Sequence, residues 1–280
     1  MQAPRSRPGD LQTRLDVEFA QVSDVGRVRR QNEDDFGYVA PATPTQAQSH
    51  GWLFVLADGV GGQKLGEVAS RTAVENVSSN FRRSVGGESH SALLRRLVQA
   101  ANHAVYEAGR AASPGGIAMA TTIVACTLRY DRAVVAHVGD SRCYLIRNGH
   151  ATALTRDHTI SSDQLRAGVI TAREAAESGN RHLLSRSLGN DLFVNVDTGE
   201  HLLLPDDVLL LCSDGLHNSV EPRDMSQVLG PTVDLNTAAQ MLVALANQRD
   251  GSDNITVQVI RIRSVERIGM YRGRSYRLQR

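Results

Sequence analysis

Long apolar runs that stop on turn residues dominate the hydrophobic pattern. WLFVLADG (52–59), TTIVACTLRY (121–130), AVVAHVGD (133–140), CYLIRNG (143–149), DVLLLCSDG (207–215) and NITVQVIRI (254–262) each read as a strand. Short polar gaps between 130 and 150 predict a meander of consecutive antiparallel strands. Three segments carry helical spacing instead. Val74, Val77 and Phe81 recur at three and four within 67–84, and Leu93, Leu94, Leu97, Val98, Ala101 and Val105 do so within 91–112. Met241, Leu242, Leu245 and Ala246 mark a third helix over 236–249, with Asn236 as its expected N-cap. PATPTQAQSH (41–50) reads as a surface loop. From 157 to 190 the pattern breaks into short helical pieces. Gly168 ends one of them, and Thr171 and Glu174 have capping-box form in the next. A helix pair amid many strands, without strict alternation, predicts an α+β fold rather than a doubly wound parallel sheet.

Composition narrows the class. In 280 residues, an apolar fraction of 41% supports a real core, and 31 Lys and Arg against 30 Asp and Glu carry no nucleic-acid signature. The charge is uneven, however. Residues 261–280 hold seven arginines and one acid, Glu266, and lack an amphipathic face, so a solvated extension is the simpler reading over an anion-binding one. Residues 1–15 are polar and aperiodic and read as a flexible arm. No run approaches the ~20 apolar residues of a membrane span, and MQAPRSRPGDLQTR has no secretory core, which predicts a cytoplasmic location. Cys126, Cys143 and Cys212 lie in apolar segments and read as buried free thiols.

The stretch FVLADGVGGQKLGE (54–67) first suggests a phosphate-cradling loop. Its lysine is followed by Leu65 rather than a hydroxyl residue, and a dinucleotide fingerprint starting at Gly59 would need glycine where Lys64 stands. The repeated feature is the aspartate. Asp58 and Asp214 each end an apolar run as Asp-Gly, Asp140 ends another, Asp253 opens one, and Asp34 closes the polar stretch RRQNEDD. Acids converging at one sheet end are unfavourable unless a cation neutralises them. Carboxylates without histidine or cysteine suit magnesium or manganese rather than zinc. An arginine fork beside two such ions suits a phosphate monoester; Arg29, or Arg30 beside it, is placed to supply it.

SDVGRVRRQNED, FVLADGVGGQKLGEVAS, TTIVACTL, AHVGDSRCYLIRNG, LTRDHT, LLSRSLG, LLLCSDGL and DGSDNITVQVI follow one another in the order seen in metal-dependent Ser/Thr protein phosphatases. From about residue 17 to 262 the chain resembles the protein phosphatase 2C family, most of all its compact bacterial members. The resemblance implies a four-layer α/β/β/α sandwich: two antiparallel sheets flanked by helices, with a catalytic domain over 16–262, a flap at about 157–190 and a basic tail at 263–280. It implies two, or with a third site three, Mn2+ or Mg2+ ions. Asp58 would bridge two of them, joined by the Gly59 carbonyl. Asp214 and Asp253 would complete one ion's ligands, Asp34 would act through water with Glu33 behind it, and Asp140 would serve the third ion. Arg29 falls on the phosphate-binding arginine, and Asn254 would support the ligand loop.

The chain departs from the family at Val60 and Gln63, where many bacterial relatives carry Met and His. Val60 cannot donate a proton to a leaving group. His158 is the remaining histidine candidate, against the simpler reading of a histidine hydrogen-bonded in a loop. The expected activity is hydrolysis of phosphoserine and phosphothreonine by direct attack of a metal-bridging hydroxide. The expected enzyme is a monomer acting on phosphorylated proteins, a Ser/Thr kinase among them. The rival readings are a small-metabolite phosphohydrolase and an inactive phosphoprotein-binding module.

Overall fold

The computed structural model describes residues 15–60, 65–112, 119–266, 268–271 and 274–277. Gln63 and all but the last residue of the expected arm lie outside these. The chain runs β1 (Asp16–Asp24), β2 (Asp34–Val39), α1 (Pro44–Ser49), β3 (Trp52–Val60), α2 (Gly66–Arg83), α3 (His90–Ala112), β4 (Ala120–Thr121), β5 (Ile123–Arg129) and β6 (Arg132–Val138). It continues through β7 (Arg142–Arg147), β8 (His150–Ala153), α4 (Ile160–Arg166), α5 (Ala172–Glu177), β9 (Asp197–Leu202), β10 (Val208–Cys212), α6 (Asp214–His217), α7 (Pro222–Val228), α8 (Leu235–Arg249) and β11 (Ile255–Ser264). A short hairpin of β12 (Ile268–Tyr271) and β13 (Arg274–Arg277) follows, within the tail that reads as a plain extension in the sequence.

One sheet has the order β2-β3-β5-β6-β9, with β4 beside β3; the other is β1-β11-β10-β7-β8, and every pairing is antiparallel. Strand side chains alternate between faces, and here both faces are covered. Leu53, Val55 and Ala57 of β3 pack outward on the apolar stripes of α2 and α3, while Phe54 and Leu56 point inward. They meet Cys143, Leu209, Leu211, Ile260 and Ile262 from the second sheet. Its outward residues, including Leu210, Cys212, Val257 and Val259, lie under Leu242, Val243 and Ala246 of α8. That double burial is why the strands are apolar end to end rather than alternating. Each fully buried aliphatic side chain contributes about 1.5–3 kcal/mol.

Three local expectations change. The 41–50 loop contains α1, capped by Thr43 with proline in its first turn, but it buries no residue and so shows no apolar period. The N-cap of α8 is Asp234, whose carboxylate accepts the Thr237 N–H, not Asn236. The meander is interrupted: β5 pairs β6 and β7 pairs β8, yet β6 and β7 lie in different sheets. Gly139, at φ +102°, turns the chain across; a Cβ there would stand 2.6 Å from the Thr122 Cγ2. The Thr171 capping box is present, and the three cysteines are free and buried. Among the described residues, no helix is long and apolar enough to cross a membrane.

Candidate metal centre

Antiparallel pairing decides which acids can meet. Asp34 opens β2 and is the register partner of Asp58 near the end of β3. Thr122, just before β5, donates its N–H to the Asp58 carbonyl (2.8 Å), and its hydroxyl accepts the Asp58 N–H (3.0 Å). Because Ile123 pairs with Val138, the Gly139–Asp140 turn lies at the same end. In the second sheet Cys212 pairs with Val257, so Asp214 and Asp253 both sit beyond one end of the β10/β11 ladder. The two sheets join there: the Ser213 hydroxyl donates to Asp34 Oδ2 across the sandwich (2.8 Å). The Asp58 and Asp214 carboxyls are near enough to perturb each other's ionisation.

Backbone geometry around these tips leaves little freedom. Gly59 donates its N–H to the Glu33 carbonyl (3.1 Å), and a Cβ on it would stand 2.4 Å from the Gly66 carbonyl oxygen. Glu33 itself reaches over the start of α2, its carboxyl 2.8 Å from where a Gly66 Cβ would lie. Asn254 ties down the loop that bears Arg29. Its side chain accepts from the Glu33 N–H (2.8 Å) and donates to the carbonyls of Val25 and Gln31 (2.9 and 3.0 Å). Arg29 is exposed and donates through Nη2 to Asp253 Oδ2 at 2.8 Å. Arg30 is exposed as well, and that contact favours Arg29 as the arginine of this site.

The electrostatics are those of crowded acid, buried at Asp34 and Asp140 and half-buried at Asp58 and Asp214. Burial, reinforced by the neighbouring carboxylates, pushes Asp34 up to about 7, Asp140 to about 8 and Asp214 to about 6. Asp58 is driven well above the usual carboxylate range, first by burial and then by Asp34, Asp214, Asp140 and Asp253. Two unit charges 4 Å apart repel by about 4 kcal/mol at an effective dielectric constant of 20. Four acids therefore cannot all ionise here without a cation. Asp34 Oδ1 is buried with no hydrogen-bond partner, and the assembled donors are oxygens. An oxygen-only set with an orphaned, buried lone pair fits a hard divalent ion.

His158 is buried, 1% exposed, with Nδ1 accepting the Gly139 N–H (3.2 Å) and Nε2 beside Asp197 (3.3 Å). The loop reading of this histidine is the one the structure supports. Three supporting residues escape a reading by motif: Thr122, Ser213, and His217, whose Nε2 lies 2.9 Å from the Asp140 carbonyl oxygen. Ser213 and His217 flank the Asp214-Gly pair, but only the long-range pairing reveals what they touch.

Comparison with known proteins gives a consistent picture. The sequence profile of the family described as Protein phosphatase 2C matches residues 27–248. A serine/threonine phosphatase, stp, of Listeria welshimeri is 34% identical over 257 residues, covering 90% of this chain and 96% of that protein. The solved serine/threonine phosphatase of S. agalactiae superposes with a TM-score of 0.80 at 32% identity, over 88% of this chain and 99% of its own. The catalytic domain of the phosphatase PstP, solved in complex with two manganese ions, superposes with a TM-score of 0.74. Its identity is also 32%, over 89% of this chain and 99% of that one.

Proposed function

Because the chain belongs to the protein phosphatase 2C family, we propose that its acidic cluster is the divalent-metal centre of the enzyme, with Asp58 as central ligand. The chain is a metal-dependent serine/threonine phosphatase, and its substrates are phosphoproteins. The observation that carries the metal assignment is the unanswered charge: Asp34, Asp58, Asp140 and Asp214 are each raised by burial and by a neighbouring carboxylate, which for Asp214 is Asp253. Asp58, with the Gly59 carbonyl beside it, would be the shared ligand of the ions. Asp214 and Asp253 would help hold them, Asp34 would support them less directly, and Asp140 would hold a further ion. The two manganese ions of the PstP domain support the same number here; magnesium suits the same oxygen donors.

Bound there, divalent ions supply positive charge opposite the phosphate and an activated water at neutral pH. The protein contributes orientation. Arg29 presents a fork that takes phosphate oxygens in two parallel hydrogen bonds, and its exposure leaves it reachable by a bulky phosphoprotein. Asp253, its partner at 2.8 Å, holds the guanidinium toward the acids until phosphate arrives. Val60 has no proton to give, and the nitrogens of His158 face Gly139 and Asp197. Neither serves as the acid for the leaving alkoxide.

The wider reading is a cytoplasmic monomer whose catalytic domain spans 16–262 with a flap at about 157–190, opposing a Ser/Thr kinase that is itself among its phosphorylated partners. Three buried free thiols suit a reducing compartment. The test is hydrolysis of a phosphothreonine peptide with manganese, with chelator, and with Asp58→Asn. Activity abolished in the last two is expected; activity surviving both would overturn the metal assignment.

A further inference from the structure

Among the described residues, His137, His158 and Asp197 bring potential ligand atoms within 4.8 Å of one another, spacing that a second type of metal site could use. The hydrogen bonds decide against it. The Gly139 N–H points at His158 Nδ1, so that nitrogen must be the acceptor and the ring proton sits on Nε2. A protonated nitrogen cannot ligate. It faces Asp197 Oδ2 at 3.3 Å instead, and Arg186 Nη1 donates to the other oxygen of that carboxylate at 3.0 Å.

We propose that His158 is a positioning residue for Asp140, clamping the Gly139–Asp140 turn to the stem of the flap so that affinity for the ion at Asp140 depends on that stem. The inference rests on the assignment of Asp140 to an ion. Two hydrogen bonds make the clamp: the His158 N–H donates to the Gly139 carbonyl (3.0 Å), and the Gly139 N–H returns to His158 Nδ1. His158 is in turn part of the stem. Its carbonyl accepts the Ser185 N–H (2.9 Å), the Ile160 N–H reaches the Leu183 carbonyl (2.9 Å), and Thr159 bridges Leu184 between them. The ring is fixed on its flat side by His137, stacked at 4.7 Å and 17°.

On the far side, the turn is pinned to the rest of the centre. His217 holds the Asp140 carbonyl, and the Ser141 hydroxyl lies 2.7 Å from that of Thr122, which also accepts the Asp58 N–H. The Gly139–Asp140 turn is therefore held from two directions, at Gly139 by the flap stem and at Asp140 by His217. A ligand carboxylate displaced by a fraction of an ångström loses affinity, and partners behind a ligand typically tune metal binding by about 10–100-fold.

Two variants separate the contacts. In His158→Asn the side-chain oxygen can stand where Nδ1 stood and keep the Gly139 bond; in His158→Gln the amide can reach Asp197 while the Gly139 acceptor is lost. Both lose the stacking on His137, so a purely structural role would affect them alike. The experiment is manganese titration by calorimetry of the full chain, with thermal melts as a fold control. H158Q is expected to weaken about tenfold the manganese site that D140N removes, whereas H158N stays within about twofold of the unsubstituted chain. At saturating manganese the H158Q kcat recovers. Equal weakening in both variants, or none in H158Q, overturns the role of His158. D140N, run alongside, should bind one ion fewer. If it binds the full number, the assignment of Asp140 fails and this inference with it; if it loses one while H158Q is unchanged, His158 alone is refuted.

Discussion

Two sets of buried and half-buried aspartates in this molecule differ in what answers their charge. Asp157 and Asp207 each receive a two-pronged arginine. Arg142 reaches Asp157 through Nε and Nη2 at 2.8 and 2.6 Å, and Arg147 reaches Asp207 through the same atoms, both at 2.7 Å. Burial works to raise the Asp157 carboxyl, but the Arg142 fork overcomes it and holds the group below its ordinary range. At the strand tips, Asp34, Asp58, Asp140 and Asp214 have no such fork among the described residues, and burial carries all four upward. One fold thus neutralises some buried acids internally and leaves a cluster to be neutralised from outside. On the proposed assignment, charge compensation, rather than burial, separates a structural aspartate from a metal-binding one.

Removing one acid from each set should have opposite consequences. Asp58→Asn is expected to lower phosphopeptide turnover by at least about a thousandfold, or about 4 kcal/mol. In chelator at pH 8 the same variant should melt higher than the unsubstituted chain, because it relieves repulsion. Asp157→Asn strands the Arg142 guanidinium and should cost about 3 kcal/mol of stability with or without metal. Denaturant unfolding with and without manganese checks both. A chelated Asp58→Asn that is destabilised as much as Asp157→Asn would erase the distinction.

Asp58, Asp140, Asp214 and Asp253 are legible in the sequence because each closes or opens an apolar run that reads as a covered strand with a fixed tip, whereas Asp34 follows a polar stretch and is placed by its pairing with Asp58. What surrounds them is less so. Gly139-Asp140-Ser141 looks like a hairpin turn, and only the packing of Gly139 on Thr122 shows the chain passing to the other sheet. Ser213 and His217 act on residues 179 and 77 positions away, Asp34 and Asp140, a separation that local patterning does not report. Asp234 and Asn236 are both good caps, and the helix begins at the earlier one, which brings Leu235 into the core. Helix α1 carries its Thr43-Pro44 start signal openly but buries nothing, so hydrophobic period misses it.

pH sharpens the comparison further. The tip acids have folded pKa values above the ordinary 3.8, reaching about 6, 7 and 8 for Asp214, Asp34 and Asp140. The metal-free folded chain therefore binds protons that the unfolded chain gives up, so its stability falls as pH rises from about 4 to about 8. Asp157, lowered, acts in the opposite sense: its contribution is present above pH 4 and is lost on acidification through its depressed folded value. Excess manganese should flatten the alkaline decline by taking the place of the protons. Melting curves across that range with and without manganese would show it, and an unchanged slope would count against the cluster.

Smaller effects should follow Arg29 and Ser213. Arg29→Ala is expected to reduce kcat/KM by about 10–100-fold, or 1.4–2.7 kcal/mol, while leaving manganese binding in place. Ser213→Ala removes one hydrogen bond to the Asp34 carboxylate, worth about 1.5–3 kcal/mol at most, and should reduce turnover severalfold. Steady-state kinetics at saturating manganese orders the two.

The claim that the tip acids await external charge is tested most directly by titrating manganese into metal-free protein near pH 7, by calorimetry in buffers of differing ionisation enthalpy. At least two ions are expected to bind per chain with net release of protons, as ions displace those held by the raised carboxyls. No binding at millimolar manganese, or binding without proton release, would contradict it.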